Sequence, residues 1–236
     1  MDDATERQRR YYADTAGRYD EMHLHGGEDE HYFALSFLSG MIPHFGIRSV
    51  LDVGAGTGRS VAWLKAHSPE LTIVGVEPVD ALREAGHAKG LRADELIAGD
   101  GNALAFADGA FDLVCAFGVL HHVPDPARVV GEMLRVAKKA ILISDSNNFG
   151  QGSVAARAFK QTLNAFGLWP AFNYARTKGK RYQINDGDGL FYSYSVFNNL
   201  PQIQDACRIV HVVNTKNTSV SHYRNADHAA VLGVKA

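Results

Sequence analysis

Cysteine is scarce in this chain: Cys115 and Cys207 are the only two among 236 residues. That excludes a disulfide scaffold, and the pair lacks zinc-ligand spacing. Cys115 lies inside the apolar run Phe111-Asp-Leu-Val-Cys-Ala-Phe117 and reads as a small core residue. An excess of charge of one sign is also missing. Lys and Arg total 24 against 26 Asp and Glu, a net charge of −2, so there is no basic footprint for general nucleic-acid binding. No apolar run approaches the length of a bilayer span. The first residues, Met1-Asp-Asp-Ala-Thr-Glu-Arg7, lack the apolar core of a signal peptide. There is no internal repeat and no low-complexity tract. The expectation is a soluble cytoplasmic protein. With 46% apolar residues the chain can bury a full core, which is expected to form one domain over 1–236.

Along the chain, residues 5–20 and 28–41 have helical apolar spacing, separated by a loop at His23-Leu-His-Gly-Gly27. Strands and helices then alternate. Arg48–Val53, Leu71–Glu77, Glu95–Asp100, Phe111–Phe117 and Ala140–Ser144 read as strands. Helices fall at 58–67, 80–88 and 126–138; Asp80 and Asp125 are placed to cap the last two, and Pro126 suits a first turn. Such alternation means parallel strands with right-handed crossovers, and a ligand crevice outside their carboxyl ends. After a helix at 193–206, Cys207–Val213 and His228–Val234 are strands too close for a helical crossover, so they pair as an antiparallel hairpin.

Asp52-Val-Gly-Ala-Gly-Thr-Gly58 ends the first strand. Its glycines permit a sharp turn and close ligand approach, and the following helix points free N–H groups into the crevice. The dinucleotide fingerprint G-x-G-x-x-G would need a third glycine at position 59, where Arg59 stands. Asp52 suits a cationic ammonium group and not a pyrophosphate. Glu77, closing the second strand, can accept from both hydroxyls of a ribose. Asp100-Gly-Asn102 can accept from an exocyclic amine and donate to a ring nitrogen, which would read adenine. His121 and His122 follow the fourth strand into the same crevice. Either can take a proton at neutral pH, and His122 is the preferred general base.

Leu51–Gly58, Val76-Glu77, Gly99–Val114 and Val119-Leu-His-His-Val-Pro-Asp-Pro126 together resemble the class I S-adenosylmethionine-dependent methyltransferases, and more closely their "type 11" small-molecule group. The resemblance covers residues 45–146. It implies an α/β fold: a doubly wound, mostly parallel seven-stranded sheet of order 3-2-1-4-5-7-6, with the C-terminal antiparallel hairpin and N-terminal lid helices over 1–44. It also implies S-adenosyl-L-methionine as cofactor and S-adenosyl-L-homocysteine as product. Asp52, Gly54, Ala55, Gly56 and Gly58 would hold the methionine part, Glu77 and Pro78 the ribose, and Asp100, Gly101 and Asn102 the adenine. Phe117 would offer its backbone, and Tyr19, in the lid-like Tyr11–Asp20 segment, would cover the cofactor.

Residues 147–192 form an insertion longer than ordinary loops, expected to cap the substrate. Its polar residues Asn147, Asn148, Arg176, Lys180, Arg181 and Tyr182 are the candidate acceptor contacts, and the basic run 176–181 could receive a phosphate. Residues 193–236 complete the fold. The expected reaction is in-line methyl transfer to a small molecule, to an oxygen such as that of a sugar or polysaccharide precursor. The alternatives are an N- or C-methyltransferase that needs no base, a dinucleotide-dependent oxidoreductase, and a catalytically silent binding protein. His23, His25 and His31, with Glu28, Asp29 and Glu30, lack the spacing of a metal site, and no metal is expected.

Overall fold

The computed structural model describes residues 3–23, 30–217 and 221–236, with the side chains of Asp3 and His23 outside that set. Its frame is set by strands that are apolar on both faces. β1 (Ser49–Val53), β2 (Thr72–Glu77), β3 (Leu96–Ala98), β4 (Phe111–Phe117) and β5 (Ala137–Ser146) pair in parallel. Successive residues point to opposite faces. Leu51, Val114 and Ile141 therefore pack into one core with Met133 of α6 (Pro126–Val136), while Val50, Leu113 and Leu142 pack into the other with Leu35 of α3 (Glu30–His44) and Leu64 of α4 (Arg59–His67). β8 (Ile209–Asn214) and β9 (His228–Val234) close the sheet, with β9 antiparallel to both β5 and β8. The order β3-β2-β1-β4-β5-β9-β8 is the expected 3-2-1-4-5-7-6 topology, with β8 and β9 as the sixth and seventh strands of the main sheet in sequence.

Local chemistry sets the element ends. Asp125 accepts from the Arg128 amide at 3.2 Å, with Pro126 in the first turn of α6, as expected for an Asp-Pro start. Asp80 does not cap α5 (Asp80–Ala88). Val79 occupies the cap position, and Asp80 pairs with Arg83 one turn on. β5 is twice as long as its apolar run, because α6 passes into it at Ala137 without a loop. Among the described residues no helix is long and apolar enough to cross a membrane.

The roof of the crevice comes from outside the sheet. α1 (Asp3–Thr15) and α2 (Tyr19–His23), joined through a tight turn at Ala16–Arg18, lie on one side. The insertion is structured throughout: α7 (Val154–Ala165), α8 (Trp169–Arg176), then a hairpin of β6 (Tyr182–Asn185) and β7 (Gly189–Tyr192). α9 (Leu200–Ala206) leads on to β8, and α10 (His222–Asn225) precedes β9. Asn147 fastens the insertion to the sheet. It is fully buried; its amide nitrogen donates to the carbonyls of His222, Tyr223 and Ala226, and its amide oxygen accepts from Ser195 Oγ at 2.8 Å. That wiring makes Asn147 an anchor and leaves no polar atom for an acceptor molecule, contrary to its expected role.

Candidate active site

The glycine turn hangs from β2. The amides of Gly54 and Ala55 both donate to the Val76 carbonyl, at 2.9 and 3.0 Å. Gly54 has φ +74°, and a Cβ there would lie 2.6 Å from Val119, so both backbone shape and close packing require glycine. Gly56, at φ +56°, lies against the Tyr19 ring, whose hydroxyl would be 3.2 Å from an added Cβ. Tyr19 is thus seated directly on the turn. Asp20, beside it, accepts from Thr57 Oγ1 at 2.7 Å and pairs with Lys89, tying α2 to the core.

Glu77 is 5% exposed. Its Oε2 accepts from the Gly56 amide at 3.0 Å and its Oε1 from the Val79 amide at 2.9 Å. Burial outweighs these bonds and lifts its pKa to about 7. Asp52, at 1% exposure, accepts from Ser60 Oγ; burial raises its pKa to about 6. Asp100 behaves oppositely: burial is overcome by bonds from the Asn102 amide and side chain, at 2.9 and 2.8 Å, and by Arg9 at 2.6 Å, so its pKa is lowered.

These groups line two joined cavities. The larger, about 850 Å³ including its mouth, has Glu77, Asp100 and Asn102 on its polar side and Val79, Leu82 and Val129 as apolar walls. The smaller is lined by Asp52, Ala55 and Arg59, and the two share Tyr19, Gly54 and Phe117. Pro78 and Gly101 also border the larger one. Gly58 starts α4 in the left-handed region, and a Cβ there would meet Leu91 at 2.1 Å; it shapes the turn from below.

Beyond Phe117 opens a third, polar cavity of about 1420 Å³. Its walls include Glu30, His31, Lys216 and His228, with Tyr12 and Tyr19 shared with the larger cavity. Glu30 pairs with Lys216 at 3.1 Å, and His228 Nδ1 lies 2.6 Å from Thr215 Oγ1. Of the histidine-rich N-terminal loop, His25, Glu28, Asp29 and the His23 side chain lie outside the described residues.

His122 borders both the larger cavity and the polar one; His121 borders only the polar one. His121 Nδ1 lies 2.7 Å from buried Asp145, and its Nε2 3.3 Å from Asp188. Burial opposes a charge on His121, but the Asp145 carboxylate overrides it and lifts the pKa to about 10. His122 moves the other way, lowered by burial and then by charged His121. Its Nδ1 lies 2.6 Å from the Leu190 carbonyl, and its Nε2 3.2 Å from Asp188 Oδ1. The Gln8 amide nitrogen also lies 3.2 Å from that Nδ1; in the neutral tautomer that donates from Nδ1 to Leu190, the lone pair is on Nε2, beside Asp188.

Several of these residues escaped the sequence. Asp145 and Asp188 flank the histidines, and Thr5, Gln8, Arg9 and Tyr12 of α1 line the larger cavity. The α1 set has the i, i+3, i+4, i+7 spacing of one helix face, a signal that was readable. Of the insertion candidates, Asn148 bonds to Ser193 and Lys160, Arg176 lies over Trp169, and Lys180 is on the exposed loop. Tyr182 sits on β6 against Tyr192. Arg181 borders an outer groove with Trp169, Tyr174 and Tyr192. None of these borders the polar cavity.

Residues 51–143 match the family model described as a methyltransferase domain. Over that segment the chain is similar to methyltransferase domains. It is 35% identical over 146 residues to an "uncharacterized methyltransferase" of Mycobacterium sp. (strain KMS), and 33% identical over 146 residues to one of Mycobacterium tuberculosis (strain H37Rv). These alignments span 62% and 61% of this chain but only 57% and 56% of those relatives. In fold it resembles a possible histamine N-methyltransferase from Thermotoga maritima, with a TM-score of 0.60 at 18% identity, covering 97% of this chain and 100% of that one. It also resembles magnesium protoporphyrin IX methyltransferase from Synechocystis with bound S-adenosylmethionine, at 0.60 and 14%, covering 100% and 99%.

The methyltransferase domain's donor set fits its cofactor. An acid and an arginine share the small cavity, suited to an amino-acid ammonium and carboxylate. The buried Glu77 carboxylate and the Asp100–Asn102 pair, set between apolar walls, suit a ribose and an adenine.

Proposed function

We propose that the chain transfers the methyl group of S-adenosyl-L-methionine to a hydroxyl of a small polar molecule held in the cavity beyond Phe117, leaving S-adenosyl-L-homocysteine. The cofactor supplies an electrophilic methyl group on its sulfonium. Asp52 and Arg59 would hold the ends of its amino acid, Glu77 the ribose hydroxyls, and Asp100 and Asn102 the adenine, with Tyr19 lying over the turn. The polar cavity holds the acceptor, and burial there excludes bulk water. His122 Nε2 receives the hydroxyl proton, and Asp188 stabilises the imidazolium that results. His121, kept charged by Asp145, holds Asp188 in place and favours a neutral His122 beforehand.

One observation carries this reading: His122 stands in the wall common to the two cavities, with its Nδ1 held at the Leu190 carbonyl and its Nε2 beside Asp188. A sugar-containing acceptor would find hydrogen-bonding partners in the polar cavity at Glu30, Gln151, Asp188 and Lys216. Cytoplasmic action on such a precursor is part of the same proposal.

The test uses tritiated methyl donor with a panel of hexoses, nucleotide sugars and phenols. With the best acceptor found, Asp188→Asn is expected to lower kcat about tenfold, less than the roughly 10²–10⁴-fold worth of a positioned base itself, and to leave cofactor affinity unchanged. Equal kcat in the variant contradicts the role given to Asp188.

A further inference from the structure

α7 is inside out. Its polar side chains face the protein: Arg157 donates to the Gly152 carbonyl at 2.6 Å, Gln161 to the Phe149 carbonyl at 2.9 Å, and Asn164 to the Tyr223 hydroxyl at 2.9 Å, while Lys160 bonds to the Asn148 carbonyl. Its apolar side chains face out, and no residue of the helix is buried. Ala155, Phe159, Thr162 and Phe166 recur at i, i+4, i+7 and i+11 along that outer face, all exposed. Phe166 is 75% exposed and Val154 73%. α8 extends the patch: Phe172 meets Phe159 with ring centroids 5.2 Å apart, and Leu168 is 53% exposed. A surface helix normally turns this face to a core, and an exposed apolar patch of this kind marks a binding surface.

Charge says what covers it. Residues 147–185 contain six Lys and Arg and no acid, so the rest of the chain carries a net charge of −8. Four of the six, Arg176, Lys178, Lys180 and Arg181, follow the patch directly at the end of α8. A two-fold dimer through this face would bring twelve positive charges together. A nucleic acid would satisfy the charge and leave Val154, Phe166 and Leu168 in water. An anionic lipid surface satisfies both: hydrocarbon for the outer face and headgroups for the basic run.

We infer that the α7–α8 unit docks the protein on anionic membranes, with Val154, Phe159, Phe166 and Leu168 inserted among the acyl chains and residues 176–181 at the headgroups. In that pose the outer groove bordered by Trp169, Tyr174 and Arg181 lies at the lipid surface. This groove shares Val123 and Pro124 with the larger cavity. The docking itself does not depend on the reaction proposed above.

Vesicle flotation tests it with the full chain. Binding to phosphatidylcholine vesicles carrying about 30% phosphatidylserine should exceed binding to pure phosphatidylcholine by about tenfold or more, and about 0.5 M NaCl should release the protein. The double variant Val154→Gln/Phe166→Gln and the charge variant Lys178→Glu/Lys180→Glu should each lose about tenfold in partitioning, with unchanged circular-dichroism melting. Equal binding to the two vesicle types overturns the inference, as does wild-type binding by both variants. A dimer in solution that Val154→Gln/Phe166→Gln converts to monomer would also overturn it, by assigning the face to self-association.

Discussion

Glu77→Ala should weaken S-adenosylmethionine binding by about a hundredfold or more, the largest loss expected from any single cofactor contact. A hydrogen bond to a charged acceptor is worth about 1.5–3 kcal/mol, and this carboxylate is placed to take two from a ribose. It also caps the Gly56 and Val79 amides, so the glycine turn loses its brace in the same step. Glu77→Gln should fall between, because its NH2 must oppose one of those donors. Calorimetric Kd values for the three proteins check the order.

The raised pKa of Glu77 adds a pH dependence. Burial lifts it from 4.5 to about 7. The folded state thus holds its proton more tightly than the unfolded chain, and the stability tied to that proton is complete below about 4.5 and lost as pH rises to about 7. The loss is roughly 3 kcal/mol for a shift of this size. Ribose hydroxyls need the ionised carboxylate as acceptor, so cofactor affinity should rise with pH through about 7 and level off above it. In Glu77→Gln that step should vanish. Persistence of the step would assign it to another group, Asp52 being the next buried acid.

His122→Ala should reduce methyl transfer to a hydroxyl acceptor by about 10²–10⁴-fold, the usual worth of a positioned base. Cofactor affinity should change little, since the ribose, adenine and amino-acid contacts are elsewhere. The pH profile carries more information than the rate. His122 is lowered below 6.5 by burial and by charged His121, so kcat should rise with pH to a plateau reached before neutrality. His121 is held protonated up to about 10, so the plateau should extend well into the alkaline range. Nitrogen NMR of the histidine rings checks the same assignment without an acceptor: one ring stays an imidazolium at pH 8 while its neighbour is neutral. Undiminished transfer by His122→Ala would remove the base and point to a nitrogen or carbon acceptor.

The sheet, and the gathering of Asp52, Glu77 and Asp100 around one crevice, were legible because each depends on short-range chemistry. Buried parallel strands show as apolar runs, and Asp52, Glu77 and Asp100 fall where such runs end. The roof was not legible, for reasons that differ by residue. Residues 147–192 looked like a loop because Gly and Asn punctuate them, yet Asn147 is spent on three carbonyls of α10 and its following turn, a contact nothing local announces. Asp188 reaches His121 across 67 residues, and only the β6–β7 hairpin brings it there. α7 defeats ordinary pattern reading, because its amphipathic period is plain but its faces are reversed. The α1 face carries a local signal, since Thr5, Gln8, Arg9 and Tyr12 have the spacing of one helix side.

The account stands first on what occupies the joined cavities. Isothermal titration of the full chain with S-adenosylmethionine, S-adenosylhomocysteine and NADH in parallel tests this directly. Micromolar binding of the two adenosyl ligands with no heat from NADH is the predicted result. Binding of NADH in preference, or no adenosyl binding by protein that melts cooperatively, would contradict the account and leave only the fold.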